Sequence, residues 1–171
     1  MTKSNIETAS VGGLVDEFYN TCQELRDELQ DWKDNIEEKF SGTEKYSTLE
    51  ESVNTLDNFC ENAPDYEIDG FDAGAPHEYT RSPLKKKASR RDRMGHAMEA
   101  ANIAVGLIEA EIEKIESALE EANDQDVESE TGTGHDVDAL EATKDALTEL
   151  KDQIENDVSE AENVEFPGMF S

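Results

Sequence analysis

Apolar residues in the first third of the chain fall at Leu14, Phe18, Cys22, Leu25, Leu29, Trp32, Ile36 and Phe40. Between Phe18 and Ile36 they step alternately by four and three, which keeps them on one face of a helix. Ser41-Gly42-Thr43 breaks the run, and Ser41 followed by Glu44 has the form of a capping box that opens a second helix. That helix carries Tyr46, Leu49, Val53, Leu56 and Cys60 in steps of three and four.

The two seams can be tested against each other. Facing residues in an antiparallel hairpin have residue numbers whose total is nearly constant. Ile36 with Tyr46, Trp32 with Leu49, Leu29 with Val53, Leu25 with Leu56 and Cys22 with Cys60 satisfy this to within one residue. A first hairpin over 11–61 follows, preceded by a flexible polar arm over 1–10.

From 62 to 88 the periodicity stops. Pro64, Gly70, Gly74, Pro76 and Pro83 mark an irregular connection, longer than is usual between helices. Its Tyr66, Ile68, Phe71 and Tyr79 suggest that part of it packs back onto the helices.

A third helix, from Ser89 to Asn123, carries Met94, Met98, Ala101, Val105, Ile108, Ile112, Ile115, Leu119 and Ala122. Gly95, Ala97, Ala100, Ala104 and Gly106 widen its packable surface, so it should contact more than one neighbour. An acidic loop over 124–135 leads to a fourth helix from Asp136 to Ala161. The same register test pairs Leu119 with Leu140, Ile112 with Leu147, Val105 with Ile154 and Ala101 with Val158; Ile115 opposite Lys144 is the mismatch.

A second hairpin therefore spans 89–162, and 163–171 form a tail. The tail's Phe166, Met169 and Phe170 could cover the end of the helices or dock elsewhere. The predicted fold is all-α: two antiparallel helical hairpins forming an elongated four-helix bundle or a coiled-coil-like assembly. With narrow seams, a homo-oligomer is compatible with the pattern.

Charge changes the picture more than hydropathy does. Lys plus Arg number 15 against 43 Asp plus Glu, a net charge of -28. Such a field repels nucleic acid and membrane surfaces and attracts basic protein surfaces. Mimicry of a polyanion and adaptation to high salt both account for it; ten lysines against five arginines speak mildly against extreme halophily.

No apolar run approaches the roughly 20 residues of a membrane span, and Met1 to Ser10 lack the form of a signal peptide. The chain reads as cytoplasmic or virion-borne.

The candidate chemistry is sparse. His77, His96 and His135 have no helical metal partner, and they read as exposed or capping residues. Cys22 and Cys60 are either a redox pair or two buried reduced thiols, the latter favoured in a reducing compartment. Asp124, Asp126, Glu128 and Glu130 alternate as in a calcium loop, but Ser129 and His135 occupy the positions that need Gly and Glu.

No phosphate loop or nucleophile elbow is present. No catalytic residue, cofactor or metal is assigned, and an enzyme is not expected.

Lys85, Lys86, Lys87, Arg90, Arg91 and Arg93 form a basic patch that holds six of the 15 basic residues. It neutralises the protein's own acidic helices, holds an anionic ligand, or contacts another molecule. Direct nucleic-acid binding is disfavoured, because the remaining charge is repulsive and no aromatic is interleaved.

Two stretches, Glu24 to Phe40 and Ser89 to Glu109, resemble small acidic all-helical proteins of tailed bacteriophages that have no assigned role. The resemblance implies a phage origin and an accessory role, and it carries over no functional residue.

Taken together, these readings favour a non-enzymatic, DNA-mimic-like inhibitor that binds a basic surface on a host protein. Its acidic face on the first helix would be Asp16, Glu17, Glu24, Asp27, Glu28, Asp31, Asp34, Glu37 and Glu38. The alternatives are a virion, scaffold or assembly component, and a protein that sequesters an anionic ligand through Lys85–Arg93.

Overall fold

The structure is a computed structural model, and it describes residues 5–125 and 134–167. Within them lie four helices, α1 (Val11–Phe40), α2 (Glu44–Cys60), α3 (Arg90–Gln125) and α4 (Gly134–Glu162). Two short strands, β1 (Asn5–Ala9) and β2 (His77–Arg81), complete the elements. The helical character matches the periodicity, and among the described residues no helix is long and apolar enough to cross a membrane.

Both hairpin registers are visible in polar contacts at their edges. The Gln23 amide donates to the Cys60 carbonyl at 3.1 Å, and Arg26 pairs with Asp57 at 3.1 Å and Glu61 at 3.3 Å. In the second hairpin Lys144 pairs with Glu116 at 3.1 Å and Lys151 with Glu109 at 3.4 Å. Lys144, the mismatch in the apolar seam, thus reaches the residue beside Ile115, and Ile115 stays buried.

α1 packs on both α2 and α3, α3 packs also on α4, and α2 touches α4 only lightly. Leu14, Phe18, Leu25, Leu29, Leu49, Leu56, Met94, Ile108, Leu147 and Ile154 form the fully enclosed core. Ala97, Ala100 and Ala104 of α3 are buried, whereas Gly95 and Gly106 face open space.

The departures from expectation are local. Residues 5–9 of the polar arm form β1, which pairs antiparallel with β2 from Asn5↔Arg81 to Ala9↔His77, so the chain is not purely helical. Within β2 exposure alternates, with Tyr79 and Arg81 turned inward. The physical reason is that long-range pairing supplies partners for backbone groups that no local hydrophobic pattern advertises.

α2 is capped by Thr43 rather than Ser41. Thr43 has extended backbone, and its hydroxyl accepts from the Tyr46 amide at 3.3 Å and donates to the Phe40 carbonyl at 2.7 Å. Ser41 is left to end α1. The calcium-like stretch from Asp126 onward, His135's side chain, Met169 and Phe170 lie outside the described residues.

The 62–76 connection is docked at two glycines. Gly12 donates its amide to the Ala73 carbonyl at 2.9 Å, and a Cβ there would stand 2.8 Å from the Tyr66 ring. Gly70 has φ +86°, and a Cβ would stand 2.8 Å from the Thr143 hydroxyl, which donates to the Asp69 carbonyl at 2.7 Å. Tyr66, Ile68, Phe71 and Tyr79 pack against the core as the sequence suggested.

One polar pair sits inside the core. Tyr19 donates to Asp157 at 2.5 Å, joining α1 to α4. Burial pushes the Asp157 carboxyl above the ordinary aspartate range, although the Tyr19 hydroxyl acts to lower it.

Two outcomes are expected. Gly70→Ala should cost about 1–3 kcal/mol in urea unfolding, since both its backbone angle and the Thr143 contact oppose a side chain. For Asp157 the folded value is raised. Its contribution to stability is therefore fully present below about pH 3.9 and is lost as pH rises through the folded value. Asp157→Asn removes that dependence. The variant should be at least as stable as wild type at pH 7, and its advantage should vanish below about pH 3.9 in paired urea melts.

Candidate functional site

The inward position of Arg81 follows from the two-residue period of β2. Its side chain is 2% exposed and contacts both α1 and α3. Nη1 donates to both carboxylate oxygens of Glu17 at 2.9 Å. Nη2 donates to the His96 carbonyl and lies 2.8 Å from His96 Nδ1.

An arginine cannot accept a hydrogen bond, so Nδ1 presents its lone pair and the imidazole proton sits on Nε2. That Nε2 and Arg81 Nε are buried without a hydrogen-bond partner among the described residues, the latter 3.9 Å from the Glu99 carboxylate. His96, expected to be exposed or capping, is instead half-buried in a charge cluster. With Nε2 closed off from solvent, the cluster clamps the strand pair onto the helices. The sequence held no local sign of it beyond a lone Arg and His.

The basic patch divides into two parts. Arg90 Nε bonds Glu28 at 3.0 Å, Arg93 bonds Glu28 at 2.6 Å and Glu24 at 3.3 Å. Trp32 lies beneath Arg90 at 5.2 Å and Lys45 at 5.5 Å, within cation–π range. Burial acts to raise the Glu28 carboxyl, but the Arg93 and Arg90 guanidiniums together hold it below its ordinary range.

Ser89 and Asp92 cap α3 reciprocally, at 3.0 and 3.1 Å, which places a carboxylate where the helix dipole favours one. Arg91 is exposed and lines a shallow recess with Glu165 and Phe166. Lys85, Lys86 and Lys87 are exposed. None of the three is within 4.0 Å of a carboxylate among the described residues.

The expected acidic face of α1 splits in the same way. Glu17, Glu24 and Glu28 turn toward β2 and α3 and are paired with arginine. Asp16 is exposed and accepts from Tyr66 at 2.9 Å, Asp27 pairs with its neighbour Arg26 at 3.0 Å, and Asp34 accepts from Gln30 at 2.8 Å. Asp31, Glu37 and Glu38 are exposed.

Sequence reasoning missed a second acidic surface. On α4, Asp138, Glu141, Asp145, Glu149 and Asp152 are all exposed. It also missed an open groove of about 910 Å³ between the 67–70 loop, α3 and α4. No periodicity could reveal that groove, since its wall is a loop docked from elsewhere in the chain. Among the described residues no group of His, Cys, Asp or Glu is arranged to hold a metal ion. Cys22 and Cys60 are free and buried, and the contact with Cys60 together with burial pushes the Cys22 thiol up.

Arg81→Ala should lower stability by roughly 3–5 kcal/mol, as removal of one member of a buried ion pair does. Glu17→Gln should cost less, because Glu17 is 36% exposed. Urea unfolding of both variants checks the order; equal and negligible losses would mean that the clamp does not hold the strands.

No family model matches the chain, and neither a curated protein nor a solved structure matches it.

Proposed function

We propose that this is a non-enzymatic binding protein, an elongated four-helix bundle whose acidic outer faces engage a basic surface on a protein partner, as a DNA mimic does. The observation that carries this reading is the division of charge. Arg26, Arg81, Arg90, Arg93, Lys144 and Lys151 sit at junctions between elements, while the outer carboxylates of α1 and α4 point to solvent.

On α4 the exposed acids step by three and four residues, a rise of about 4.5–6 Å. Duplex DNA carries a charge per roughly 3.4 Å on each strand. The α4 row approaches the charge spacing of one such strand, at a somewhat wider interval. The contact sequence α2–α1–α3–α4 supports the bundle. The phage-like text of α1 and α3 supports an accessory role in a host cytoplasm. The anionic-ligand reading is weakened, since Arg90 and Arg93 already face Glu24 and Glu28.

The test is capture from host lysate at physiological and raised salt. Basic nucleic-acid-binding proteins should be retained at the lower salt, released at the higher, and displaced by excess duplex DNA. An Asp138→Lys/Asp145→Lys/Asp152→Lys variant should retain them at least about tenfold less well. A capture set without nucleic-acid-binding proteins, together with a chain that gains stability only in molar salt, would assign the acidity to salt adaptation instead.

A further inference from the structure

The groove beside the 67–70 loop has an apolar interior. Ile68, Ile115, Leu140, Ala142 and Ala146 line it together with Glu67 and Asp69, which are exposed, and Glu111, which also lies 3.8 Å from Lys114. Its loop wall is held in place by the Gly70–Thr143 approach and the Thr143 hydrogen bond to Asp69, so the shape is preformed. An apolar cleft with a carboxylate rim selects an apolar side chain flanked by cations.

The chain itself carries such a segment. Leu84 is 43% exposed, Pro83 beside it is exposed, and Lys85, Lys86 and Lys87 follow, exposed and facing no carboxylate within ion-pair distance among the described residues. It cannot reach its own groove. Residues 82–85 rest against Asp92, His96 and Glu99 near the start of α3, whereas the groove lies near Glu111 and Ile115, on the order of 25 Å along the same helix.

We propose that the groove receives the Pro83–Lys87 loop of a second copy of this chain. Leu84 enters the apolar interior, and the lysines meet Glu67, Asp69 and Glu111. The contact joins two different surfaces, so a pair keeps one loop free on one copy and one groove free on the other, and association continues into short head-to-tail oligomers or closes into a ring. Repulsion between two chains of net charge -28 opposes it, which keeps the contact weak and makes the lysines necessary.

Sedimentation velocity between micromolar and millimolar protein reads this directly. Wild type should gain mass with concentration beyond the dimer. Leu84→Asp, which spoils the loop, and Ala142→Trp, which fills the groove from an exposed position, should each weaken association at least about tenfold. Mixed together, these two variants retain one sound loop and one sound groove, and they should form a heterodimer that grows no further.

Circular dichroism checks that both variants fold. If Ala142→Trp does not, Glu67→Lys/Asp69→Lys on the exposed rim takes its place, with Lys85→Glu/Lys86→Glu/Lys87→Glu as the partner that restores pairing. A wild-type chain that stays monomeric to millimolar concentration overturns the proposal. So does a closed dimer indifferent to both variants, or a mixture that never pairs.

Discussion

Every junction between helices in this protein must overcome repulsion between acidic surfaces. Only 15 basic side chains stand against 43 acidic ones. Five of them sit where helices meet: Arg26 between α1 and α2, Arg90 and Arg93 between α3 and α1, Lys144 and Lys151 between α4 and α3. Arg81 does the same for the strand pair. Apolar seams supply the driving force for packing, and the placed cations decide which acidic faces can approach one another.

That constraint also sorts the carboxylates into two kinds. Those beside a junction, such as Glu17, Glu24 and Glu28, are bound to arginine. Others, such as Asp31, Glu37 and Glu38 of α1 and Asp138, Glu141 and Asp145 of α4, are exposed and have no cation within 4.0 Å among the described residues. A surface of this kind exerts long-range attraction on basic partners and is attenuated by salt within about a Debye length.

The helices and their pairing were legible because seam spacing and antiparallel register are both one-dimensional patterns. Five facing layers from Cys22–Cys60 to Ile36–Tyr46 could be read without coordinates. The strand pair was not, because Asn5–Ala9 and His77–Arg81 are each too short and polar to announce themselves, and only their pairing explains them. Thr43 displaced Ser41 as the cap because the choice depends on backbone angles at a turn. His96 looked like an isolated histidine until β2 brought Arg81 across to it. On α1 the acidic face was readable as a list, but its division into bound and free carboxylates depends on which neighbour each residue meets. The groove was illegible for the same reason: one of its walls belongs to a loop far away in sequence.

The strand pair imposes an order on folding. β1 precedes α1, yet it pairs with β2, which lies beyond both helices of the first hairpin. The first hairpin can close on local contacts alone. The strands must then wait for the intervening chain to come round, and Arg81 finds its full set of partners only when the opening turns of α3 have arrived. Fixing this ribbon is therefore a late, non-local step, and it fastens the two halves of the molecule together once each has formed.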